Sequence, residues 1–278
     1  MQKGQIVLGV ATLILALTLF FAGRTTPKKD NSATANVEGS SFEEYEQQQT
    51  AKLLPAEKAQ LTVITSALKA TKAEDTANLK KLYLQASGFW KNLGNPSLGT
   101  WYFYKFAETE ATKTSLETAG DALVKAYKNG SDSVISDKLV TFALRSYENA
   151  VQKDGSDLEL KIKLAELYVQ GSQEPMKGIG ILRQLADSLP NNVPVLLALG
   201  RLSIQSGQFD KAKERLQKVL QLEPQNTEAL YFLAITEAQL GHKEEAIRLF
   251  EMCKLLVGNK DFNNEIDEIV KNLKSKKV

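Results

Sequence analysis

The feature that most constrains this chain is a self-similarity at a spacing of 34 residues. The stretch LLALGRLSIQSGQFDKAKERLQKVLQLEP, Leu196 to Pro224, has helical periodicity, yet it carries Gly200 and Gly207 and stops at a proline. Glycine costs about 1 kcal/mol relative to alanine inside a helix, so two of them need a reason. The next copy supplies one. Leu196, Leu199 and Gly200 become Leu230, Leu233 and Ala234; Gly207 becomes Gly241 and Ala212 becomes Ala246. Leu216 becomes Phe250, Val219 becomes Cys253, and Pro224 becomes Gly258. Small residues match small, large apolar match large apolar, and breakers match breakers, which is the signature of a stacked repeat. Gly200 alternates with Ala234, so that position wants a small side chain where two helices touch. Gly207 and Gly241 follow polar stretches and mark the turn between two helices. Each repeat therefore reads as helix, short turn, helix and breaker.

These residues resemble the tetratricopeptide repeat (TPR) family, whose pattern is W-x2-L-G-x2-Y, then A-x3-F, then P. One copy reads Leu196, Leu199, Gly200, Ser203, then Ala212, Leu216 and Pro224; the next reads Leu230, Leu233, Ala234, Glu237, then Ala246, Phe250 and Gly258. Leu replaces Trp, Ser or Glu replaces Tyr, and Gly replaces the last Pro. Upstream, Leu164, Ala165 and Tyr168 match a first half, and Gly178, Leu182, Leu185 and Pro190 match a second half after one extra turn residue. Earlier still, Ala143, Tyr147, Ala150 and Gly155 fit a second half at a spacing of 35. Its first helix is expected near Glu117 to Tyr127, with KNGSDSVISD as a longer turn.

The rest of the chain divides by composition. Ile6 to Gly23 is an apolar run of 18 residues without charge, long enough at 1.5 Å per residue to just cross a bilayer core. A cleaved signal would need small residues in an A-x-A-like arrangement, which Phe20 and Phe21 spoil. The expected organisation is a transmembrane anchor at 1–24 and a polar tether at 25–41, followed by a helical layer at 42–112. TPR repeats at 113–260 and a capping helix with its tail at 261–278 complete it. Within the layer, helices are expected at FEEYEQQQTAKLL (ended by Pro55), AEKAQLTVITSALKATK, EDTANLKKLYLQASGFWKNLG and SLGTWYFYKFAETEATK. Their lengths suit degenerate repeats, but the motif does not register there. Trp101, Tyr102, Phe103, Tyr104 and Phe106 are read as a plug between this layer and the repeats, the alternative being a ligand box. In DFNNEIDEIVKNLKSKK, Phe262, Ile266, Ile269, Val270 and Leu273 share one stripe with a charged back, as a terminal repeat requires. The fold class is all-α: an N-terminal transmembrane helix, then an α-solenoid with a C-terminal cap.

Two arguments about orientation conflict. Lys3 precedes the apolar run and Arg24, Lys28 and Lys29 follow it, which places the repeats in the cytoplasm by the positive-inside rule. The layout resembles bacterial envelope proteins in which one inner-membrane anchor carries a periplasmic TPR domain.

No motif for catalysis, cofactor or metal is found, and no cofactor is expected. His242 follows the turn at Gly241 and reads as solvated; Cys253 takes a small-residue slot and reads as packing. KGIGILRQ lacks the third glycine and the strand of a dinucleotide fingerprint. One histidine and one cysteine leave no zinc cluster and no intrachain disulfide. The net charge of +2, with both signs interspersed, gives no case for nucleic acid.

What the TPR resemblance implies is a groove lined by the first helix of each pair, taking a peptide or a partner helix. Carried over position by position, its lining is Ile162, Glu166 and Val169, then Leu197, Arg201, Ile204 and Gln205, then Tyr231, Ile235 and Ala238. Only Arg201 fits the basic set that grips a chaperone's C-terminal carboxylate. The apolar majority points to a hydrophobic segment as ligand, or to self-association in which another part of this chain or a second copy fills the groove. The function implied is a membrane-tethered interaction module, a scaffold or chaperone-like adaptor for an envelope complex. The rival expectation is an enzyme or small-molecule binder built around Trp90 and Trp101.

Overall fold

The computed structural model describes residues 40–130 and 133–275. The anchor expected at 1–24 and nearly all of the tether expected at 25–41 lie outside the described residues. Contacts divide the chain into two units, 1–43 and 44–278, and the architecture below is that of the second. Every regular element among the described residues is helical, and none of their helices is long and apolar enough to cross a membrane.

The helices are α1 (Ser40–Ala51), α2 (Pro55–Ala70), α3 (Thr76–Asn92), α4 (Pro96–Glu110), α5 (Lys113–Lys128), α6 (Ser133–Lys153) and α7 (Leu158–Gly171). They continue as α8 (Pro175–Ser188), α9 (Val193–Gln205), α10 (Phe209–Leu222), α11 (Thr227–Gln239), α12 (Lys243–Val257) and α13 (Lys260–Ser275). Pro55 opens α2 rather than closing α1. Proline at the first helical position loses no hydrogen bond, because that amide has no intrahelical partner. Likewise α6 starts at Ser133, inside the stretch expected to be turn, and α5 starts at Lys113, where the Thr112 hydroxyl accepts from the Ser115 amide.

Neighbours in sequence are neighbours in space. α3 packs on α4, α5 on α6, α7 on α8, α9 on α10 and α11 on α12, and each pair meets the next. α9 also touches both α7 and α11, so these first helices stand side by side. The turn glycines carry the geometry that the repeat demands: Gly207 has φ 70° and Gly241 φ 85°, a left-handed conformation that favours residues without a Cβ. A Cβ at Gly200 would meet Leu216 Cδ2 at 3.0 Å, which accounts for a small residue there.

Apolar burial follows the repeat period. One cluster gathers Leu196, Ala212, Leu216, Leu230, Phe250 and Cys253, and closes with Ile266 and Val270 from α13. The cap therefore covers a surface that would otherwise expose several large side chains, each worth roughly 1.5–3 kcal/mol when buried. At the other end, Trp101 and Tyr104 of α4 meet Phe142 of α6 with ring centroids 4.5 and 5.0 Å apart, so these aromatics fill the junction between α4 and the following pair. Trp90 is 1% exposed, and its Nε1 donates to the Glu46 carboxylate of α1 at 3.2 Å, as does the Tyr102 hydroxyl at 2.8 Å. Those bonds fasten α1 against α3 and α4.

Candidate functional site: the face of the first helices

The first helices begin alike. Asp157, Asn192 and Asn226, at successive spacings of one repeat, each accept a hydrogen bond from the amide three residues on, at Leu160, Val195 and Ala229. Such caps are worth about 1 kcal/mol each, and they fix where α7, α9 and α11 start relative to one another. They are legible in the sequence as Asx residues at the repeat spacing, although the motif pattern does not include them.

With the starts fixed, equivalent positions line up across the helices. Ile162, Leu197 and Tyr231 form one row; Glu166, Arg201 and Ile235 form the next; Val169, Ile204 and Ala238 form a third. The structure corrects two members. Ile162 and Leu197 are each 7% exposed and belong to apolar clusters, so they are core residues and not binding surface. The physical reason is their place in the stack. α9 is flanked by first helices on both sides, and those neighbours cover its apolar row. Glu166, Val169, Arg201, Ile204, Tyr231, Ile235 and Ala238 are partly exposed, and Gln205 is exposed.

The charged members of the face pair with one another. The Arg201 guanidinium bridges Glu166 of α7 and Glu228 of α11, tying three first helices together. Burial works against its charge, but those two carboxylates outweigh burial and hold its pKa above the usual arginine range. Arg201 is therefore already engaged within the chain. One repeat earlier, Lys163 of α7 reaches Glu117 of α5 at 2.9 Å, Asp121 at 3.2 Å and Glu159 of its own helix at 3.7 Å. Sequence reasoning does not reach this part of the face, because α5 carries no clear first-half motif to give its register.

The apolar members gather at the other end. Tyr231, Ile235 and Ala238 of α11 line a cleft of about 270 Å³ together with Phe250 of α12 and Ile269 and Leu273 of α13. The cleft exists because α13 stands where the first helix of a further repeat would stand. Tyr231 packs edge-on to Phe250 at 5.8 Å and lies 6.1 Å from Phe262. Its phenol pKa is raised, first by burial and then by the nearby Glu265 carboxylate.

His242 is half exposed, yet its Nδ1 lies 2.6 Å from the carboxylate of Glu237, a buried side chain that also takes Lys213 Nζ at 2.9 Å. Cys253 is fully buried, and burial pushes its thiol up to about 11, where little thiolate forms near neutral pH.

A model of the tetratricopeptide-repeat family matches residues 203–255. No curated protein matches the chain. Among solved structures, MamA from Desulfovibrio magneticus RS-1 is similar at 16% identity, covering 66% of this chain and 97% of that one with a TM-score of 0.46. TTC0263, a thermophilic TPR protein of Thermus thermophilus, is similar at 20% identity over 68% of this chain and 97% of that one, TM-score 0.47. YrrB, described as a TPR protein with an unusual peptide-binding site, is similar at 16% identity over 74% and 97%, TM-score 0.43. The family match at 203–255 falls on the 34-residue recurrence and on its left-handed turn glycines, Gly207 and Gly241, so this stretch of the chain is a tetratricopeptide-repeat region.

Proposed function

We propose that this chain is a membrane-tethered interaction module that holds a peptide or helix of a partner protein against the face of its first helices, on the periplasmic side of a bacterial inner membrane. The observation that carries the reading is the apolar cleft at Tyr231, Ile235, Ala238, Ile269 and Leu273. A helix laid in a groove uses such pockets for its anchoring side chains. The uncharged run Ile6–Gly23 supports the tether. The resemblance to anchored envelope proteins supports the side of the membrane.

The reading is tested by placing a photocrosslinking amino acid at Ala238, at Gln239 or at exposed Lys211 of α10 in the full-length chain in cells. Crosslinks to a defined partner from 238 and 239, and none from 211, are expected. Equal yields from all three positions would remove the face of the first helices as the binding surface.

A further inference from the structure

The charges along this face do not cancel, and their imbalance says what kind of segment the cleft receives. Near α5 and α7, the carboxylates of Glu117, Asp121 and Glu159 share one ammonium, Lys163. Near α9, the carboxylates of Glu166 and Glu228 share one guanidinium, Arg201. At the cleft, Glu265 lies one helical turn before Ile269 on exposed surface of α13. Lys125, a turn beyond Asp121, offsets only one of these charges. Negative charge therefore runs the length of the first-helix face, and the apolar cleft sits at its C-terminal end.

We infer that the occupant is a basic amphipathic helix of a partner protein, which sets one or two large aliphatic side chains into the Tyr231–Ile235–Ile269–Leu273 cleft and lays its lysines and arginines along the carboxylates towards α5. The inference rests on the groove reading above and adds the partner's chemistry to it. Opposed potentials across an interface set specificity and speed association, and like charges face to face exclude wrong partners. The span also fits a helix. First helices packed about 8–10 Å apart place the cleft roughly 30 Å from α5, which about 20 helical residues cover at 1.5 Å each. An acidic segment would meet these carboxylates, while Arg201 and Lys163 are already held by them.

The test uses the full-length chain in a non-ionic detergent and two synthetic 20-residue amphipathic helical peptides. Both carry the same leucine stripe, and they differ only in having lysine or glutamate on the flanks. Fluorescence anisotropy is expected to show binding of the lysine peptide, at least tenfold weaker at high salt because exposed charges are screened, and no binding of the glutamate peptide. Glu159→Lys with Glu265→Lys, both exposed positions whose change leaves the melting temperature in place, is expected to cost at least tenfold in affinity. Ala238→Glu, which fills the cleft, is expected to abolish binding. Equal binding of the two peptides, lost in Ala238→Glu, would overturn the charge inference and leave the groove standing. Lysine-peptide binding that is unaltered by Ala238→Glu would overturn the groove itself, as would binding of neither peptide. Dimers seen by light scattering and dissolved by the lysine peptide would assign the cleft to a second copy of this chain, against a foreign partner.

Discussion

A single position of the repeat shows how this chain departs from the repeat motif and still packs. The motif's tyrosine is kept at Tyr168, whose hydroxyl donates to Glu148 on the second helix of the preceding pair. At the equivalent place in α11 stands Glu237, 2% exposed, and here the preceding pair supplies a donor, with Lys213 Nζ at 2.9 Å. Both junctions join this motif position to the second helix of the preceding pair, with donor and acceptor exchanged and the partner set one helical turn earlier at Lys213. A buried carboxylate without its partner is costly, and more so than the pair's net worth would indicate. Lys213→Met removes one of the two groups that meet this carboxylate and leaves His242 Nδ1 at 2.6 Å, so it should lower stability by about 1 kcal/mol, the low end of the penalty for stranding a buried polar group. Adding Glu237→Gln to that variant should return most of the loss, because the amide keeps the shape and sheds the charge. Urea unfolding of the two variants checks this, and a double variant as unstable as the single one would mean that Lys213 acts through packing. The departure at 237 is visible in the sequence. Its compensation by Lys213 is not, because the partner lies in another repeat and no motif position marks it.

At the scale of the helix pair, closeness of approach is what the small residues secure, and two of the helical glycines at these contacts, Gly178 and Gly200, are not equivalent. A Cβ on Gly200 would meet side-chain atoms of Leu216, Cδ2 at 3.0 Å and Cγ at 3.1 Å. A Cβ on Gly178 would fall against the Ala165 carbonyl oxygen, with Val169 Cγ2 at 2.8 Å and Tyr168 Cβ at 2.9 Å. A leucine methyl group shifts by a few tenths of an ångström; a helix backbone does not. Gly178→Ala should thus lower stability by about 1–3 kcal/mol, as overpacking does. Gly200→Ala should be near neutral or stabilising, because alanine regains up to about 1 kcal/mol of helix propensity. Thermal melts of the pair decide it, and a neutral Gly178→Ala would show that α7 and α8 have room to separate. Periodicity makes the pairs, the turns and the small positions readable, since each recurs with its residue class kept from copy to copy. It says less at Ile162 and Leu197, because equal phase on a helix does not mean equal exposure. Leu197 is covered by neighbours on both sides, whereas Tyr231, in the same row, borders the cap and opens into the cleft. The helices of 42–112 are legible too, but Pro55 stands at the start of one helix and not at the end of another, because a proline stop and a proline start look alike in one sequence.

For the whole molecule, the proposed binding face and the proposed membrane tether are separable, and the tether makes its own prediction. The run from Ile6 to Gly23 holds 18 residues without a charge. Such a segment is too apolar to remain in water and long enough to just cross a bilayer core. Phe20 and Phe21 stand where a signal peptidase would need small residues. The full-length chain should therefore sediment with membranes through high salt and alkaline carbonate. A soluble form beginning near residue 24 would show that the run is a cleaved signal. The side of the membrane follows from the same preparation. Cys253 is the chain's one cysteine and is fully buried, so Cys253→Ser removes the background at little cost to the surface. A cysteine introduced at exposed Lys52 then reports where the helices lie. Labelling by a membrane-impermeant maleimide once the outer membrane is opened would place the cleft among periplasmic partners. Labelling only after the inner membrane is broken would place it in the cytoplasm, as Arg24, Lys28 and Lys29 after the apolar run imply by charge.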